Sequence, residues 1–310
     1  MLQSVRTLLT GLIDYAGLFP PTACDMATAV QTYARDLASP HAWMLSRLIV
    51  PVARLGEFET ASEALLPRAG ADGPPEPWRV SALIGQDLKR DIDTLFEFNL
   101  KHEAKPELGA VVVDAIELRC SNAQAVDSIM REVPEQLEPF LEVDHRDDVR
   151  GVVAAMAGTG ARAKIRCGGV TPDLIPSAAQ IASFIHACAA ADVAFKATAG
   201  LHHPVRSEHP LTYEQNAPRG TMHGFLNVFG AAALASACRL DADELERVIL
   251  ETDPRAFIFT ETGLSWRDAH VDAGRLARVR ESFAVSVGSC SFAEPVEDLI
   301  KLGLLERAVA

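Results

Sequence analysis

Residues 195–206, FKATAGLHHPVR, set a lysine inside a short apolar strand that runs into a glycine and two histidines. Burying an ammonium group is costly unless something pairs with it or uses it. Lys196 is therefore the first candidate for chemistry. A second lysine, Lys164, lies one strand-like segment earlier, in ARAKIRCGG (161–169). Alternate residues of a strand face opposite sides. Val193, Phe195 and Ala197 are apolar and belong beneath covering helices, which turns Lys196 and Thr198 the other way. The same split sends inward Lys164 and Arg166, Glu142 and Asp144 from PFLEVD (139–144), Glu117 and Arg119 from DAIELR (114–119), and Asp14 from GLIDYAG (11–17). Such a concentration of charge has little stabilising rationale, because apolar replacements of buried ion pairs are often neutral or favourable. It is read as an active site, against the plainer alternative of a structural ion-pair network.

Paired lysines support three uses. One is covalent: a neutral amine adds to a carbonyl and the resulting Schiff base serves as an electron sink. An amine substantially neutral at pH 7 must give up about 4 kcal/mol relative to a free lysine, which desolvation and a neighbouring cation can supply. Lys196, farther from the carboxylates along the strand order, is the expected nucleophile. In the second use both lysines stay charged and, with Arg166, hold a carboxylate or phosphate or stabilise an enolate. In the third they only pair with Glu142 and other acids.

Other residues frame this cluster. His202 and His203 follow the glycine that ends the lysine strand and are expected at the mouth, as acid–base or substrate-contact groups. With Glu142, Asp144 or His223 they also define the alternative of a metal-dependent isomerase, lyase or hydrolase. In VGSCSFAEPVEDL (287–299), Gly288 and Ser289 open a turn before a helix, a common place for an anion. Ser291 and Glu294 have helix-cap spacing there, and the acids of that helix oppose a dianion. Cys290 shows no paired base and is expected to be inert. Asp14 precedes a stiff Phe-Pro-Pro turn, so Tyr15 or Phe19 is expected on a pocket wall. Gly158-Thr159-Gly160 lacks dinucleotide-fingerprint spacing, and no cofactor is expected.

Positioning these groups calls for regular alternation of strands and helices. RLIVPV (47–52) and VSALIG (80–85) add strands, and FAVSVGS (283–289) or AFIFT (256–260) supplies an eighth. Between them, Val126, Ile129, Met130 and Val133 follow the capping pair Ser121-Asn122 at helical spacing, as Ile181, Phe184, Ile185 and Cys188 follow Thr171-Pro172-Asp173. Eight such units in 310 residues predict a single (β/α)8 barrel over 1–310, with a doubly wound sheet as the alternative. The proline- and glycine-rich stretch 67–77 is expected as an exposed connection, and the polar stretch 204–220 as a lid over the mouth. MHGFLNVFGAAALASAC (222–238) is apolar nearly all round and predicts a buried helix.

FKATAG and KIRCGG together resemble the paired-lysine strands of the deoxyribose-phosphate aldolase group of class I aldolases. That resemblance spans about twenty residues. It implies a (β/α)8 barrel, with Lys164 on the sixth strand as the Schiff-base residue and Lys196 on the seventh as its electrostatic partner, the reverse of the assignment from strand order. Ile165-Arg166-Cys167 departs from the family's sixth-strand pattern.

Bulk composition narrows the partners. A net charge of −13 and a sequence pI of about 5.1 argue against nucleic acid and against an anionic membrane surface. Six scattered cysteines with no CxxC pair suit reduced thiols in a cytoplasm. The expectation is a cytoplasmic lyase of aldolase type acting on a small anionic carbonyl compound, with homo-oligomerisation left open. Lys196 and Lys164 would carry the amine chemistry, Glu142, Asp144 or Glu117 the protons, and Arg166 and Arg119 the anion. A non-enzymatic binding barrel is the remaining alternative.

Overall fold

The computed structural model describes residues 1–70, 73, 75–238 and 240–307. Eight parallel strands close into a barrel: β1 (Ile13–Tyr15), β2 (Leu45–Pro51), β3 (Trp78–Leu83), β4 (Val111–Arg119), β5 (Glu138–Glu142), β6 (Arg162–Arg166), β7 (Phe195–Thr198) and β13 (Ala284–Ser289). Closure is made where β1 pairs with β13, Ile13 opposite Val287. Of the two segments that could supply the eighth strand, 283–289 takes the place. Residues 257–259 instead form β10, which joins β11 (Gly263–Trp266) and β12 (Ala269–Asp272) in a separate antiparallel sheet. A second small sheet is the hairpin β8 (Ser207–Pro210) and β9 (Arg219–Met222), built largely from the stretch expected to be a lid.

Around these strands lie α1 (Gln3–Leu9), α2 (Met26–Leu37), α3 (Leu55–Ser62), α4 (Leu88–Ala104), α5 (Ala123–Glu132), α6 (Val149–Met156), α7 (Ala178–Ala191), α8 (Phe225–Cys238), α9 (Ala242–Ile249), α10 (Ala273–Ser282) and α11 (Ala293–Lys301). Asn122 caps α5 by accepting the Ala125 N–H at 2.9 Å. Thr171-Pro172-Asp173 opens only a 3-10 turn at Pro172–Leu174. Helix α7 begins later, where Ser177 and Gln180 form a reciprocal capping box. The ring of Pro172 sets its own φ for a turn, but the free hydroxyl that can cap the helix is Ser177.

Period-two packing explains which side of each strand meets the helices. The Phe195 ring packs edge-on against Phe184 of α7 at 5.4 Å and against Phe283 at 5.3 Å, and meets Phe229 of α8 at 6.3 Å. Ala163, Ile165 and Ala197 are fully buried on the same side. As expected, α8 is buried nearly all round. Its Asn227 is satisfied by donating to the carbonyls of Val248 and Glu251 and by accepting the Arg206 N–H.

Two polar devices secure the amino-terminal end of the barrel. Arg280 of α10 donates to the carbonyls of Leu8, Thr10, Ala284 and Val285, tying α1 to β13. Arg47 of β2 reaches Asp114 of β4 at 2.6 Å and Glu138 of β5 at 3.0 Å, while Arg79 also holds Asp114 and Arg162 holds Glu138. Arg47 is 3% exposed, so this ionic layer seals the barrel base.

Candidate active site

Glu142, Lys164, Lys196 and Ser286 are lateral neighbours on four successive barrel strands. Two adjacent ammonium groups would repel, and Glu117 relieves this by reaching in from β4. Its Oε2 accepts from Lys164 Nζ at 2.7 Å and its Oε1 from Lys196 Nζ at 2.7 Å. Lys164 also donates to Glu142 at 2.8 Å, and Lys196 to Asp14 at 2.6 Å. The result is an alternating chain, Asp14–Lys196–Glu117–Lys164–Glu142. Two hydroxyls complete it: Ser286 donates to Asp14 at 2.7 Å and Ser81 to Glu117 at 2.9 Å. Below it, the Phe140 ring lies 5.0 Å from Lys196 Nζ and 5.7 Å from the Arg162 guanidinium.

The electrostatics follow from burial and pairing. Burial works against ionised Asp14 and Glu117, but their lysine partners outweigh it, with Arg47 adding to the effect at Asp14. Both carboxyls are held below the ordinary range, Glu117 far below. Burial likewise works against the Lys196 ammonium, yet Asp14 and Glu117 outweigh it and raise its pKa. Lys196 is thus a fixed cation.

Over this chain opens a cavity of about 620 Å³ at the carboxyl ends of the strands, where (β/α)8 barrels carry their sites. Lys164, Glu117 and Glu142 form part of its floor, and Arg119, Arg166 and Thr198 stand on its wall. Lys196 and Asp14 do not line it and are wholly inaccessible. The two lysines are therefore unequal: Lys164, only 4% exposed, borders the cavity, and Lys196 is sealed beneath it. Lys196, the nucleophile expected from strand order, is the lysine that the cavity does not reach. Strand order alone could not show that Glu117 would cross to Lys196.

Several other expected residues find different places. Asp144 lies past the end of β5, exposed, and caps a local turn by accepting the Arg146 N–H at 3.0 Å, so it does not join the cavity. The strand ends at Glu142, and the alternation does not extend to Asp144. Tyr15 stacks on Tyr33 at 6.4 Å beneath α2, while Phe19 lines the cavity. Gly288 also lines it, and a Cβ there would lie 2.7 Å from Thr198 Oγ1, so the missing side chain leaves room for that threonine.

The two histidines diverge. His202 lines the cavity, and its Nδ1 is 3.0 Å from Ser289 Oγ. Ser289 spends its hydroxyl hydrogen on the Ser291 carbonyl at 2.7 Å, so it accepts from His202 Nδ1–H. The tautomer is thereby fixed with Nε2 unprotonated, and burial lowers the imidazole pKa against the opposing pull of Glu294. Ser289 serves the histidine and does not line the cavity. His203 turns away, with Nδ1 2.6 Å from Asp298 and its ring stacked 3.4 Å from that of His209. Cys290 lies 3.8 and 4.0 Å from the two ring nitrogens of His202. Near-equal distances to both nitrogens put the sulfur off the line of the Nε2 lone pair, and burial raises its thiol pKa. The thiol thus has a histidine neighbour that the sequence did not disclose, without the alignment of a nucleophile–base pair.

Ser81, Ser286, Arg47 and Phe140 were not singled out from the sequence, although the same alternation in VSALIG and FAVSVGS points both serines inward. The hairpin contributes Leu211 and Met222 to the cavity wall. Among the described residues, no three His, Cys, Asp or Glu side chains converge as a metal shell. The inward carboxylates are engaged by lysines and the histidine pair points two ways, so these donors do not fit one ion.

No protein-family model and no curated protein matches this chain.

The chain is a (β/α)8 barrel.

Proposed function

We propose that this barrel is a carbon–carbon lyase of the class I aldolase type, acting through Lys164 on an anionic carbonyl compound. The observation that carries the proposal is the inequality of the lysines: Lys164 borders the cavity with a carboxylate on either side, and Lys196 is a sealed cation. The resemblance of FKATAG and KIRCGG to the aldolase strands supports the same assignment.

Glu142 is the partly exposed partner of Lys164, and a proton passed from Lys164 Nζ to it leaves a neutral amine beside a neutral acid. The amine adds to the substrate carbonyl carbon, and the carbonyl oxygen takes the proton from Glu142. Loss of that oxygen as water leaves an iminium. When a β-hydroxyl then gives up its proton, the carbon–carbon bond breaks, an aldehyde departs, and the bonding pair moves to the iminium as an enamine. Glu117 keeps its charge throughout, tied to Lys196, and opposes the iminium's positive charge. His202 Nε2, unprotonated on the cavity wall, suits the hydroxyl proton. Arg119 and Arg166 carry no ion pair among the described residues and stand two positions beyond Glu117 and Lys164, one layer above the floor. They suit the substrate's anion.

The test is incubation with a panel of oxo acids and hydroxyaldehydes plus borohydride, read by intact mass. The proposal expects a substrate-dependent mass gain equal to one reduced adduct, absent in Lys164→Met. No gain with any carbonyl that the protein turns over would overturn it.

A further inference from the structure

The cavity is much larger than its charged floor requires. At about 620 Å³, it holds the share of liquid volume of about twenty waters at roughly 30 Å³ each. A pyruvate-sized ligand seated at Lys164 would leave most of it filled with water against apolar walls. Most of those walls come from elements that carry none of the charged row. Leu118 lies in β4 and Ile129 in α5, Ile84 follows β3, Leu174 sits in the 3-10 turn after β6, and Leu211 and Met222 come from the β8–β9 hairpin. Leu118, Ile84, Leu211 and Met222 are already at most 8% exposed without a ligand, so the walls are formed in advance. The hairpin has no counterpart in a minimal barrel, yet it places two of these side chains over the cavity. Gly220 permits this: a Cβ there would lie 3.0 Å from Ile175 and 3.2 Å from Leu211.

The turn beside the cavity disfavours a phosphate. The turn after β13, where many barrels hold a phosphate, has its Ser289 hydroxyl committed to Ser291 and His202. Glu294 Oε2 lies 3.6 Å from His202 and has no hydrogen-bond partner. An acidic side chain beside that turn works against a bound dianion. Arg119 and Arg166 line the cavity together with Lys164 and carry no ion pair among the described residues.

From the size, the apolar walls and the placement of the two arginines, we infer that the substrate is an amphiphilic oxo acid. Its carbonyl and carboxylate sit at Lys164, Arg119 and Arg166, and an alkyl or aryl body of several carbons fills the space beneath the hairpin. The carbonyl part rests on the amine chemistry proposed above, and the apolar body rests only on the walls.

The test is a chain-length series measured by calorimetry on the full chain: pyruvate, 2-oxohexanoate, 2-oxooctanoate and 2-oxodecanoate, beside the saturated carboxylates of matching length. Burying one methylene in an apolar wall tightens binding by about fourfold, and a gain of that order per methylene is expected in both series until the cavity fills. A gain below about twofold per methylene in both series, or tighter binding of glyceraldehyde 3-phosphate than of 2-oxooctanoate, would overturn the inference. The two series separate the failures. A steep slope for the carboxylates without borohydride trapping removes the amine chemistry and keeps the apolar site, and trapping at Lys164 with a flat slope does the reverse.

Discussion

Replacing Lys196 by methionine is the sharpest perturbation of the sealed half of the site. The substitution keeps most of the side-chain volume and removes the cation that faces both Asp14 and Glu117. Asp14 keeps the Arg47 amide and the Ser286 hydroxyl, and Glu117 keeps Lys164 and Ser81. One buried negative charge is then uncompensated, and breaking a buried pair in this way costs about 3–5 kcal/mol. With an unfolding entropy of about 2.1 cal/mol/K per residue over this chain, that corresponds to a fall in Tm of about 5–8 °C at pH 7. The pH dependence carries the sign. In the native protein the Asp14 and Glu117 carboxyls titrate below their unfolded values, so they add stability above about pH 4 that is lost on further acidification. Without Lys196, burial dominates at Asp14 and lifts its folded value above the unfolded one, so the variant is penalised most at neutral pH. The gap in Tm between the two proteins therefore narrows as the pH falls from 7 toward 4.5. Calorimetric scans across that range measure it. A variant within about 1 kcal/mol of the native protein, or a gap that widens on acidification, would refute the pairing scheme.

Lys164→Met should abolish substrate-dependent trapping while costing only about 1–3 kcal/mol, since Glu142 can turn to water, and denaturant titration beside the trapping assay checks both halves. Arg166→Gln or Arg119→Gln should raise KM for an oxo acid by about tenfold through loss of one charge-assisted contact, with kcat within about twofold and binding of a neutral ketone unchanged. Ser289→Ala removes the acceptor that fixes the His202 tautomer, and the nitrogen-15 shifts of His202 should move from one tautomer to a mixture. Iodoacetamide at neutral pH should label exposed Cys238 before the buried thiol Cys290, as peptide mass spectrometry reads directly.

Much of this architecture is legible in the sequence because strand alternation is a strong constraint once one face must meet helices. Phe195 and Ile165 fix the outward faces, and Lys196, Lys164, Glu117, Glu142 and Asp14 follow inward. What alternation does not carry is reach. The long side chain of Glu117 crosses between two lysines on β6 and β7, and nothing local records that. Strand ends are equally silent, and Asp144 falls outside because β5 stops at Glu142. The tautomer of His202 depends on a serine 87 residues away. The apolar walls come from loops and a hairpin whose residues look like ordinary core until the fold brings them to the cavity.

Locating the reduced adduct tests the central claim most directly. Trypsin does not cut after an alkylated lysine, so modification at Lys164 yields the uncut fragment Ala163–Arg166, and modification at Lys196 yields Cys167–Arg206. After borohydride reduction in the presence of a turned-over oxo acid, the mass gain should fall on Ala163–Arg166. A gain on Cys167–Arg206, or on neither fragment, would contradict the assignment of Lys164 as the reactive amine.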